Sequence, residues 1–211
     1  VGREAGYSSS DGVINVYIGQ KAGYNADTSN YNVIIGTLAG EYNVGGHQNV
    51  FLGQQAGQDN TTGSWNTFVG VAAGWSNTTG QQNVILGNWS GTSNTTGGWN
   101  VYLGGNVFVN NTTGSSNVAV GDRAGYSNLT GGYNVFLGHQ AGYNELGSNR
   151  LYIDNSNTSS PLIYGEFDND LVRINGNLDV TGEIINSSDK RWKKDVFTLE
   201  NSLEKVKKMR G

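Results

Sequence analysis

Asn49 to Trp65 reads NVFLGQQAGQDNTTGSW, and the phrase returns every 17 residues through the first two thirds of the chain. With Asn49 as position 1, Asn recurs there at Asn15, Asn32, Asn66, Asn83, Asn100, Asn117 and Asn134, and Gly holds position 5 from Gly2 to Gly138 without a slip. Self-similarity at a fixed period is the mark of a stacked architecture, in which each unit touches only its neighbours.

Inside the phrase, position 2 is Val in every copy but Thr67, and position 4 is Ile, Leu or Val, from Ile18 to Leu137. This alternation is a strand signal. Position 3 points to the opposite face and is apolar as well: Tyr17, Ile34, Phe51, Phe68, Ile85, Tyr102, Ala119 and Phe136. A strand apolar on both faces is buried on both. One face packs inside its own coil and the other needs a partner, and position 3 is assigned to the contact between chains. The Gly at position 5, the Ala-Gly pairs such as Ala56-Gly57, and the NTTG runs beginning at Asn60, Asn77, Asn94 and Asn111 are expected at corners. Each phrase is therefore expected to fold as strand, tight corner, short second strand and turn. A single coil buries too little to stand alone, so the coils stack, backbone on backbone. The expected fold is all-β: a parallel β-solenoid, or β-roll, of about nine coils over residues 1-148.

Composition agrees with this. Gly is 33 of 211 residues and Pro only 1, so the glycines are positional and the chain is not a disordered linker. The absence of Cys excludes disulfides and thiol chemistry, and no apolar run is long enough to span a membrane. The net charge of −4 hides an asymmetry: residues 1-187 carry 5 basic against 13 acidic residues, and residues 188-211 carry 8 against 4. Two kinds of segment meet near Ser188. The chain opens mid-phrase at Val1-Gly2 without a Met or signal peptide, and reads as part of a longer protein.

After Gly142 the repeat shortens. Residues 149-186 alternate apolar and polar in short runs broken by Gly, Asn and Asp, and are expected to form a β-rich neck. Beyond Lys194 the period changes: Val196, Leu199, Leu203 and Val206 follow a 3, 4, 3 spacing, with Asn201 and Glu204 placed as a cap pair and basic residues toward the end. A short amphipathic helix is expected within residues 187-211, its Leu199, Leu203 and Val206 stripe meeting copies of itself or the neck.

Two resemblances follow from these residues. The pattern Asn-Val-x-(Ile/Leu/Val)-Gly-x-x-Ala-Gly resembles the head repeats of trimeric autotransporter adhesins and related repeats in phage tail fibres. That resemblance implies a homotrimer of β-rolls. The stretch Ser188-Asp189-Lys190-Arg191-Trp192-Lys193 is similar to the opening of the endosialidase-type intramolecular chaperone, a trimerising domain of phage tail spikes that can cut itself off. Carried over, it implies self-cleavage before Ser188, with Ser188 as nucleophile and Lys193 as activating base.

Candidate sites are few. The repeat surface is either a passive shaft or carries a ligand site, and aromatic residues show where to look. Trp65, Trp75, Trp89 and Trp99 recur at positions 7, 10 and 17, and the copy GNVFV at 105-109 puts Val107 and Phe108 where Ala and Gly belong. Trp89, Trp99 and Phe108 are therefore the candidate ligand-binding residues, for a receptor or glycan, set against corner packing and a local bulge. The Asn column is read as amides bonding along the rod. The corners also spell Asn-x-Thr sequons at Asn60, Asn77, Asn94, Asn111 and Asn128. No metal site, cofactor or nucleic-acid partner is expected: His47 and His139 lack a carboxylate cluster, and phosphate-binding motifs are missing. The functional expectation is a structural and adhesive extracellular fibre segment, on a virion tail fibre or a cell surface, presenting a host-attachment site. The alternative is a bacterial surface adhesin or appendage fibre, with an ice- or glycan-binding solenoid behind it, and an enzyme acting on a substrate is not expected.

Overall fold

In the computed structural model, residues 1-182 are described, and Val1–Asn177 form one compact unit. Eight three-residue strands, β1 (Val16–Ile18), β2 (Val33–Ile35), β3 (Val50–Leu52), β4 (Thr67–Val69), β5 (Val84–Leu86), β6 (Val101–Leu103), β7 (Val118–Val120) and β8 (Val135–Leu137), lie side by side in chain order. Every pair from β1 to β8 is parallel and in phase, so Val50 faces Thr67 and Phe51 faces Phe68. This is a parallel β-solenoid of eight coils, one fewer than the repeat count suggests.

Each coil holds one strand; the expected second strand is a run of turns instead. The reason lies in the backbone. Position 7 and position 17 are left-handed in coil after coil, as at Gln55 (φ 59) and Trp65 (φ 59), and a strand cannot continue through such residues. The turns nevertheless pair from coil to coil: Gly53 donates to Ile35 O, Gly57 to Ala73 O and Trp65 to His47 O, at 2.8, 2.9 and 3.0 Å. Position 5 must be Gly, because a Cβ on Gly53 would sit 2.4 Å from the carbonyl oxygen of Gly70 in the next coil.

The interior holds position 3, which corrects the assignment of these residues to a chain interface. Ile34, Phe51, Phe68, Ile85, Tyr102 and Phe136 have no exposed surface, and Tyr17, in the first coil, is half-buried. Parity explains it. Asn at position 1 lies inside, where Asn49, Asn66 and Asn83 donate from Nδ2 to the carbonyls of Gly63, Gly80 and Gly97 at 2.8–2.9 Å. In a strand, positions 1 and 3 share a face, so position 3 turns inward and positions 2 and 4 outward. Room for the rings comes from position 9, where a Cβ on Gly57 would meet the Phe51 ring at 2.8 Å.

Two buried amide ladders run the length of the stack. At position 1, the backbone N–H of each Asn donates to the Oδ1 of the Asn one coil earlier, as Asn66 does to Asn49 at 2.9 Å. At position 12, Asn60, Asn77 and Asn94 donate in series to the preceding Oδ1 at 2.6–2.7 Å. That ladder reverses at the next coil: Asn111 donates forward to Asn128, leaving the Oδ1 atoms of Asn94 and Asn111 without a donor.

The sheet does not stop at the last full coil. β9 (Arg150–Ile153) pairs parallel with β8, and β10 (Ile163–Glu166) and β11 (Leu171–Ile174) add antiparallel strands to make eleven in all. The side chain of Glu145, at position 12 of the last phrase, caps the end by accepting from Tyr152 Oη at 2.7 Å and from Gly147 N at 2.6 Å. The expected C-terminal helix, with Leu199, Leu203 and Val206, and the Ser188 and Lys193 pair lie outside the described residues.

Candidate ligand and partner surfaces

The GNVFV irregularity has a packing cause, and it removes Phe108 from the candidate ligand set. Phe108 is fully buried. Coil seven carries Ala119 where other coils carry a large position-3 side chain, and the Phe108 ring fills that place. It stacks on Tyr102 at 4.9 Å and on Phe136 at 5.5 Å between ring centres. Gly125 leaves it the space, since a Cβ there would come within 2.4 Å of the ring. One coil has thus exchanged an aromatic at position 3 for one supplied by the coil before it.

The other two aromatic candidates stay on the surface in separate columns. Trp89, at position 7, is half exposed and meets the edge of Trp75 at 6.5 Å. Trp99, at position 17, is 63% exposed and shares its column with Tyr31, Trp65 and Tyr133, which are 55%, 53% and 65% exposed. Tyr31 and Tyr133 do not stand out in the sequence, because a search by residue type finds tryptophans, whereas a search by column finds the ridge. The backbone N–H of each ridge residue is tied to the previous coil: Tyr31 to Val13, Trp65 to His47, Trp99 to Gln81 and Tyr133 to Ser115, at 3.0–3.2 Å. A shallow depression of about 290 Å³, lined by Asn30, Tyr31, His47, Gln48 and Trp65, lies along it.

A second surface follows from the inward turn of position 3. Positions 2 and 4 form two outward columns running the length of β1 to β8, aliphatic throughout except Thr67. None of these side chains is fully buried, and Val16, Ile18, Leu86, Val118 and Val120 are exposed. At about 4.8 Å per coil the columns extend roughly 35 Å. An aliphatic stripe of that length, broken only at Thr67, is a candidate contact surface.

The remaining polar features are spent on the stack. The first Thr of each NTTG corner donates its hydroxyl to the next coil, as Thr61 does to Thr78 O at 2.9 Å and Thr78 to Thr95 O at 3.0 Å. The sequon amides of Asn60, Asn77, Asn94, Asn111 and Asn128 are fully buried, so the folded coil presents none of them for glycosylation. Burial pushes the Tyr102 hydroxyl above the usual tyrosine range, and burial followed by the Glu145 hydrogen bond does the same for Tyr152. No group of His, Asp and Glu among the described residues could hold a metal ion, and among the same residues no helix is long and apolar enough to cross a membrane. Comparison with protein-family models, with curated proteins and with solved structures finds no match.

Proposed function

We propose that the chain is a segment of a homotrimeric, extracellular adhesive fibre, of the phage tail-fibre kind, that holds and presents a surface for host attachment. The observation that carries this reading is the aliphatic face of positions 2 and 4. It runs along the whole stack with Thr67 as its one polar member, and a fibre buries such a face by laying two further copies of the same coil against it in register. A side chain at the same place in every coil suits a partner with the same 17-residue coil. The resemblance to trimeric β-roll heads supports three copies rather than two. The amide ladders tie each coil to the next along the stack, as a shaft requires. Within the same reading, the Ser188 motif opens an assembly domain that cuts the chain before Ser188, with Lys193 activating the Ser hydroxyl.

Sedimentation tests the assembly. The wild-type chain should run as a trimer at micromolar concentration, and Leu52→Lys with Leu86→Lys, on the outward column, should run as a monomer with unchanged circular dichroism. A wild-type monomer would refute the fibre reading. Mass spectrometry of the expressed full-length product tests the cut: an intact chain carrying both Ser188 and Lys193 would refute autoprocessing.

A further inference from the structure

We infer that the position-17 ridge is a binding track for an extended β-1,4-linked polysaccharide, laid along the stack with alternate sugars on Tyr31, Trp65, Trp99 and Tyr133. The inference rests on the reading of the chain as an adhesive segment and names the chemistry of what it adheres to.

Spacing is the first argument. Between Tyr31 and Tyr133 the column alternates, with Gln48, Gln82 and Ser116 between the rings. Aromatic side chains therefore recur every second coil, at about 9.6 Å, and the four cover roughly 29 Å. A surface built to meet another copy of this coil repeats with every coil, as columns 2 and 4 do. A ridge with a doubled period fits a ligand whose own repeat spans two coils. In a β-1,4-linked chain each sugar is turned over relative to the last, so the same ring face returns once per disaccharide, a length close to two coils.

Chemistry is the second. The flat face of a pyranose presents axial C–H groups, which pack on the electron-rich face of Trp or Tyr, while its hydroxyls lie around the rim and need polar partners. The amides of Gln48 and Gln82 and the Ser116 hydroxyl stand where the intervening sugars would lie. Between Tyr31 and Trp65, the depression is lined by Asn30, His47 and Gln48, which supply such partners.

Rigidity is the third. Tyr31, Trp65, Trp99 and Tyr133 sit at φ 61, 59, 57 and 60, a region in which bulky side chains are disfavoured. Ile14, Gln48, Gln82 and Ser116 in the same column share this backbone, so it is set by the path of the coil and fixes where the aromatic side chains stand. The coil-to-coil hydrogen bonds at these four residues hold the platforms fixed before the ligand arrives, which lowers the ordering cost of binding.

The test uses the full chain in its solution oligomeric state. Titration calorimetry is run with β-1,4-linked glucose and N-acetylglucosamine oligosaccharides of increasing length, and with α-1,4-linked glucose oligosaccharides as the control. Affinity should rise in steps at three, five and seven sugars, as second, third and fourth platforms are engaged, for one or both β-linked series and not for the α-linked one. Trp65→Ala and Trp99→Ala should each weaken the seven-sugar ligand roughly tenfold. The exchange of Gln48→Trp with Trp65→Gln keeps composition and moves one platform by a single coil, and should weaken binding as much as Trp65→Ala.

No binding of either β-linked series by folded protein would overturn the inference. So would full affinity in the exchanged variant, or ridge variants that change the sedimenting mass and leave glycan binding intact, which would assign the ridge to a second copy of the chain. A monomeric wild type that still binds in steps would refute the trimer and leave the ridge standing.

Discussion

Replacing Phe108 by Gly and Ala119 by Phe returns the ring to position 3 of coil seven and Gly to position 9 of coil six, and the two changes should rescue one another. Phe108 is fully buried between Tyr102 and Phe136, with centroid distances of 4.9 and 5.5 Å. Removing its ring alone leaves a ring-sized cavity over Ala119 and should cost about 3–5 kcal/mol. Ala119→Phe alone drives a second ring into space that Phe108 already fills and should cost about 1–3 kcal/mol or more. In the double variant the ring introduced by Ala119→Phe points into the same space from its own strand, beside Gly125, as Phe51 does beside Gly57. Its stability should return to within about 1 kcal/mol of wild type, a coupling of at least about 3 kcal/mol between two residues in contact. Hydrogen exchange at β6, β7 and β8 is the suitable assay, because a stack of repeats can open locally and a global melting curve dilutes the effect. Additive single effects, with the double variant the least stable of the four proteins, would refute the exchange of aromatics between coils.

Further outcomes follow from the same interior. Asn77→Leu removes the donor to Asn60 Oδ1 and one of the two partners of both Asn94 Nδ2 and the Gly80 carbonyl, so it should destabilise the stack by about 2 kcal/mol or more in denaturant unfolding, despite adding apolar surface. Gly70→Ala places a methyl 2.7 Å from the carbonyl carbon of Gly87 and should lower the thermal midpoint, whereas Gly45→Ala, with nothing nearer than 3.7 Å, should not. The buried Tyr102 hydroxyl has only the Asn117 side chain as a near partner and makes no well-formed hydrogen bond, so Tyr102→Phe should leave the coil as stable or raise its stability by up to about 1 kcal/mol. The raised pKa of this hydroxyl favours its neutral form in the folded state. Stability from Tyr102 is therefore full below the unfolded tyrosine value of about 10 and falls as pH rises above it. Alkaline unfolding should accordingly begin above about pH 10 and be shallower in Tyr102→Phe.

The period, the phase and the parallel stacking are legible in the sequence because Gly and Asn recur for reasons of backbone contact that no other residue meets. The facing of position 3 is legible too, from a residue that looks unrelated. Asn at position 1 reads as an amide bonded along the rod; two residues on, the same face of a strand holds position 3, and parity places it inside. Apolar character alone does not decide between the faces, because both are apolar. The missing second strand has no such signal. Left-handed backbone at Gln55 or Trp65 is set by the path of the stacked coil, and residues of every type occupy it. Phe108 reads as a surface irregularity because its compensation lies 11 residues away, at Ala119, in the next coil. The ridge is half legible: Trp65 and Trp99 catch the eye, but only the column adds Tyr31 and Tyr133 and the polar residues between them.

Two adjacent residues on opposite faces of β3 distinguish the interior from the proposed chain interface. Phe51→Ser and Leu52→Ser are to be followed by sedimentation and circular dichroism in parallel. Phe51→Ser should unravel its coil, with loss of folded signal, and Leu52→Ser should keep the folded signal and loosen the assembly. Folded, dissociated Phe51→Ser beside unfolded Leu52→Ser would contradict this and return position 3 to the chain interface.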